Sequence, residues 1–182
     1  MKKGFTLVEL LIVIGILAIL TAAVVVVLNP AQLLAQARDS QRMSDLDAVR
    51  SSIAFYLSTA DSPGLSETGN CMVGITHSGG SCTQNSSTVV TSGGWVGVNL
   101  ASSTGGSPLA TLPTDPVNST NYYYAYDADN TNKVFELNAR LESQKYRVNM
   151  TTDGGNDNTC TGTYTDVTCY YEVGTDPGLD IY

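Results

Sequence analysis

The stretch FTLVELLIVIGILAILTAAVVVVL, residues 5–28, decides the architecture of this 182-residue chain. Apart from Gly15, its only non-apolar members are Thr6, Glu9 and Thr21. As a helix rising 1.5 Å per residue it is ~36 Å long, enough to cross a bilayer with some tilt. Lys2 and Lys3 precede it, which predicts a cytoplasmic N-terminus and export of everything after Leu28. A cleaved secretory signal has a shorter apolar core followed by a small-residue cleavage site. Here the run is long and the residues after it read as more helix. A plain membrane anchor leaves Glu9 unexplained, because a carboxylate within lipid costs about 2.5–3.5 kcal/mol on insertion scales.

The residues around that acid are informative together. Lys2-Lys3-Gly4-Phe5-Thr6-Leu7-Val8-Glu9-Leu10 resembles the processing site of type IV pilins and type II secretion pseudopilins. The resemblance implies that a prepilin peptidase cuts between Gly4 and Phe5 and methylates the new amino group of Phe5. It further implies that Glu9 pairs with the Phe5 amine of an adjacent subunit during assembly. Glu9 is then an assembly and register device, since an acid stranded in hydrocarbon needs a cation. Small residues at Gly15, Ala18, Ala22 and Ala23 allow close helix approach within a membrane.

The helix cannot run on unbroken. Pro30 lacks an N–H, clashes with the carbonyl of Val26, and pushes Asn29 out of the α region. A kink or unwound stretch is expected between residues 26 and 30. Beyond it, Leu46, Val49, Ile53 and Tyr56 or Leu57 recur at helical spacing, with Asp45, Asp47, Arg50 and Ser51 between them. Leu33, Leu34 and Met43 extend that stripe. One face of this second half-helix is expected to pack on a head. The first half must be covered by lipid or by other subunits.

Residues 61–106 are rich in Gly, Ser, Thr and Asn and read as a long loop, with a short strand at Trp95-Val96-Gly97-Val98-Asn99-Leu100. In VFELNARL, Phe135, Leu137, Ala139 and Leu141 alternate with Val134, Glu136, Asn138 and Arg140, which predicts a half-buried strand. YYYAYD before it is β-prone, and DADNTN is the turn of the hairpin. A further strand is expected over residues 168–173. The expected fold is α+β: a long N-terminal helix packed on a small antiparallel sheet. The expected organisation is leader 1–4, membrane or filament-core helix 5–28, amphipathic helix 29–60 and head 61–182. Leu112-Pro113-Thr114-Asp115-Pro116 and Tyr171-Glu172-Val173-Gly174-Thr175-Asp176-Pro177 resemble the heads of major pseudopilins.

Cys71, Cys82, Cys160 and Cys169 fall in two local pairs, neither spaced as CxxC, and His77 is the only histidine. That argues for disulfides in an oxidising compartment and against zinc. Three connectivities are possible, and the sequence-local one closes short loops. Seventeen acids against nine bases give a net charge of −8, which disfavours nucleic-acid binding and favours solubility. The segment starting at Asp127 opens like an EF-hand loop but has Asn132 at its sixth position and Asn138 at its twelfth, so that motif is rejected. Asp153, Asn156 and Asp157 are the remaining calcium candidates, with a polar turn as the simpler reading. Three Asn-X-Ser/Thr motifs, at Asn85, Asn118 and Asn149, are no more than this Ser- and Thr-rich composition produces by chance.

No nucleophile elbow or ligand cluster surrounds His77, so no enzyme is expected. The resemblance points to a structural subunit polymerised into a helical filament, with a prepilin peptidase, an assembly ATPase and a membrane platform as partners. A secretion pseudopilin, or a tip subunit acting as a membrane-tethered binding module, is the alternative.

Overall fold

Two helices in series lead from the apolar stretch into the head. In the computed structural model, which describes residues 4–67, 69–72, 76–77, 80–156, 158–160, 169–176 and 178–179, α1 spans Leu7–Leu28 and α2 spans Pro30–Thr59. They are ~33 and ~45 Å long at the usual rise. The expected irregularity between 26 and 30 narrows to one residue, Asn29, with φ 42° and ψ 74°. Asn tolerates this left-handed conformation better than most side chains, and the following proline disfavours the right-handed one. Pro30 is itself well placed at the start of α2, where its missing N–H leaves no hydrogen bond unmade.

The two helices differ in what covers them. From Leu7 to Val25 no residue of α1 is buried, and the mean hydropathy is 2.8. It is the one helix among the described residues long and apolar enough to cross a membrane. On α2 the buried residues are Ala35, Asp39, Arg42, Leu46, Val49, Ser52, Ile53 and Tyr56. Leu33 and Leu34 stay exposed; the head touches α2 first at Gln32, whose side chain accepts from the Gln144 amide at 3.1 Å, and buries it from Ala35 onward.

The head is built on short strands: β1 (Asn70–Cys71), β2 (Thr76–His77), β3 (Gly80–Ser81), β4 (Thr83–Gln84), β5 (Tyr124–Asp129), β6 (Val134–Ala139) and β7 (Tyr171–Gly174). Five of them form a sheet in the order β4-β1-β5-β6-β7, antiparallel except for the β1–β4 pair, while β2 and β3 pair separately. Residues 61–106 are therefore not all loop. Tyr124, Tyr126, Phe135, Leu137 and Ala139 share one face, and the Tyr124 hydroxyl reaches Asp45 on α2 at 2.9 Å, so this face meets the helix. The fold is α+β with a mixed, mostly antiparallel sheet.

Four expectations need correction. Residues 95–100 are no strand: they form turns and enter a 3-10 turn at Leu100–Ser102. Trp95, Val96, Val98 and Leu100 are buried all the same. Gly97 explains this, because its φ of 68° breaks a strand, and a Cβ there would lie 2.7 Å from the Ser66 Cβ. The β5–β6 turn begins at Asn130, with Asp127 and Asp129 inside the strand; Lys133, at φ 58°, closes it. β6 is not half-buried, since Glu136, Asn138 and Arg140 are covered as well. That second face is tolerated because it is bonded internally: Asn138 donates to Glu136 at 2.7 Å and Arg140 to the Asn121 carbonyl at 2.9 Å. The last strand is Tyr171–Gly174, and Thr168 lies outside the described residues.

Two disulfides brace the head, Cys71–Cys82 and Cys160–Cys169. Each closes a loop of about ten residues, worth roughly 2–3 kcal/mol in the chain-entropy account.

Candidate assembly site

The N-terminal end of α1 carries the first part of the site. Thr6 caps the helix: its hydroxyl accepts from the Glu9 amide at 3.2 Å. The Glu9 carboxylate reaches back, and its Oε2 accepts from the Thr6 amide at 2.9 Å and the Thr6 hydroxyl at 2.7 Å. This capping box satisfies two amides that the helix start would otherwise leave unpaired. Both bonds to the carboxylate use Oε2, which leaves Oε1 for another donor. Phe5 is 81% exposed, and a Cβ added to Gly4 would meet nothing within 4 Å. Both residues of the Gly4–Phe5 bond are thus exposed. Lys2 and Lys3 lie outside the described residues.

The second part, which periodicity did not disclose, fixes the head on its stem. Arg42, fully buried on α2, grips Asp115 with both ends of its fork, Nε to Oδ2 at 2.6 Å and Nη2 to Oδ1 at 3.0 Å. Its Nη1 reaches Asp39 at 2.9 Å and Glu142 at 2.6 Å, and the ring of Tyr122 lies 5.0 Å from its guanidinium carbon. Asp39 in turn accepts from the Glu142 and Ser143 amides at 2.9 and 2.7 Å. Arg38 completes the group by pairing with Glu142. Three segments distant in sequence are clamped here: α2, the Asp115 turn and the chain leaving β6. The backbone amides and the bidentate fork supply the bonds that make buried ions tolerable.

Burial pushes the Glu142 carboxyl up, but the hydrogen bonds from Arg38 and Arg42 outweigh it and hold it below its usual range. A carboxylate held low in the fold contributes stability above its unfolded value of about 4.3, and loses it as pH falls through the lower folded value. Asp45 and Asp153, which burial pushes up, act with the opposite sign. They act so in wild type and variant alike. The stability difference between wild type and Glu142→Gln will therefore be widest near neutral pH and will shrink below about pH 4. Thermal unfolding across that range measures it, and a gap independent of pH would show that Glu142 is not ionised in the cluster.

The remaining sequence candidates separate clearly. Pro30 begins α2, and the four cysteines are bonded in local pairs. Asp153 faces the protein: its carboxylate accepts from the Gly155 amide at 3.2 Å and the Glu172 amide at 3.0 Å, tying its loop to β7. Asn156 is exposed, and Asp157 lies outside the described residues.

An exposed apolar helix with a lone acid in its first turn is thus continued by a helix that carries a disulfide-braced head. Residues 1–25 match the family described as the prokaryotic N-terminal methylation motif. No curated protein and no solved structure matches the chain.

Proposed function

We propose that this chain is the structural subunit of a type IV pilus-like filament, exported, cleaved after Gly4, methylated on Phe5 and polymerised through α1. The observation that carries this reading is the contrast between the two helices. The head buries one face of α2, while α1 presents apolar side chains on every side. Such a helix is stable in lipid or in a bundle of its own kind, and not in water. Head-to-tail addition of copies is heterologous and generates an open helical polymer. Before assembly α1 holds the subunit in the inner membrane. The partners that follow are a prepilin peptidase, an assembly ATPase and a membrane platform.

The mass of the mature protein tests the first step. The polypeptide is expected to lack residues 1–4 and to carry one extra methyl group on a fragment beginning at Phe5. A mature chain that retains Met1, or that has lost residues 5–28, would refute the reading.

A further inference from the structure

The structure sorts three sequence motifs that composition alone leaves equivalent. Asn85 has both ends of its amide occupied: Nδ2 donates to the Gly93 and Gly94 carbonyls at 3.3 and 2.9 Å, and Oδ1 accepts from the Ser87 amide at 3.1 Å. Asn149 is partly buried, with Nδ2 directed at the sulfur of Met43 at 3.4 Å. Asn118 differs from both. It is exposed at a turn, with φ 45°, and its side-chain amide makes no hydrogen bond among the described residues. Thr120, the hydroxyl member of the same Asn118-Ser119-Thr120 motif, is exposed and likewise uncommitted.

The turn is also held firmly. Asp115 Oδ1 accepts from the Val117 and Asn118 amides at 2.8 and 3.0 Å, while the same carboxylate is gripped by Arg42. On the other side, Ser119 and Tyr122 exchange backbone bonds at 2.8 and 3.2 Å. Asn118 to Thr120 therefore project from a base pinned at both ends. Such a turn offers its amide to an enzyme without local unfolding.

We infer that Asn118 is the acceptor of an N-linked glycan, transferred from a lipid-diphosphate-linked oligosaccharide; this rests on the reading that the head is exported. In the transfer, Asn118 Nδ2 bonds to the anomeric carbon of the sugar as that carbon's bond to the diphosphate oxygen breaks. The lipid diphosphate leaves with the electron pair, and the nitrogen gives up one proton. No oxidant or reductant is needed. The Thr120 hydroxyl positions and polarises the amide, which is why the motif requires an oxygen there.

The test uses the chain isolated from the membranes and filaments of the cell that makes it. Chymotrypsin, cutting after Trp95 and Tyr122, separates Asn85, Asn118 and Asn149 into different peptides for mass measurement. The Asn118 peptide is expected to be heavier by whole sugar residues, with Asn85 and Asn149 unmodified. Asn118→Gln and Thr120→Val are expected to lose the added mass, and Thr120→Ser to keep it. A bare Asn118 on a chain whose N-terminus is methylated Phe5 overturns this inference while leaving the filament reading intact. Sugar on Asn85 or Asn149 in place of Asn118 overturns it too. A chain still beginning at Met1 overturns the reading on which it rests.

Discussion

Arg42→Ala is expected to destabilise the head by about 3–5 kcal/mol, the range for breaking a buried ionic group by removing one partner. The loss of attraction is the smaller part of the effect. The substitution leaves Asp39 and Asp115, at 0% side-chain exposure, without their ion-pair partner, and Glu142 with only Arg38. For a domain of this size the melting temperature should fall by roughly 10 °C. Arg42→Lys should recover only part of that, because an ammonium cannot match the fork that holds both oxygens of Asp115. The contrast is Arg50→Ala, which removes an exposed pair with Asp47 at 3.1 Å and should change stability by less than about 1 kcal/mol. Thermal unfolding of the full chain in detergent, followed through the buried Trp95, measures all three. Equal effects at Arg42 and Arg50 would show that the buried cluster contributes no more than a surface pair.

Glu9→Gln separates two roles that the geometry superimposes. Glutamine can still accept from Thr6, so the capping box and the start of α1 should survive, as should insertion and cleavage. Under the proposed assembly, what it cannot do is neutralise the amine that cleavage would create on a neighbouring subunit. Stranding that charge in an apolar core costs on the order of 2.5–3.5 kcal/mol, roughly a hundredfold in each docking equilibrium. Filament yield from Glu9→Gln should therefore collapse to near that of Glu9→Ala, while membrane-bound processed subunit accumulates. If Glu9→Gln assembles normally and Glu9→Ala does not, the side chain acts through the cap and not through its charge.

Much of this was legible in the residues. The run of residues 5–28 announces its own helix, because no polar side chain other than Thr6, Glu9 and Thr21 interrupts it. Asn29-Pro30 marks the joint through backbone sterics that act whatever surrounds them. Phe135, Leu137 and Ala139 mark a strand by alternation. The buried charges were less visible for a specific reason. The apolar series Tyr56, Ile53, Val49, Leu46, followed back at the same spacing, arrives at Arg42, Asp39 and Ala35, all buried. The period was present, but charged side chains at its positions read as a solvated face. Their partners, Asp115 and Glu142, lie 73 and 100 positions from Arg42 and are brought to it only by tertiary structure. The run at residues 95–100 misled for the opposite reason, since a buried apolar series need not belong to a ladder when glycine lets it turn.

The left-handed residue at Asn29 has a mechanical consequence. Below it, α1 is gripped along its length by whatever it is embedded in; above it, α2 is locked to the head by Arg42 and its carboxylates. In the proposed filament, traction passes between these two helices through the joint at Asn29. The amides of Gln32 and Leu33 both reach the Asn29 carbonyl, at 2.9 and 3.3 Å, and the Gln32 side chain accepts from the Gln144 amide of the head at 3.1 Å. Each residue drawn from helix into extended chain at this joint adds ~2 Å of length, which would let the proposed filament stretch under load while every head keeps its shape.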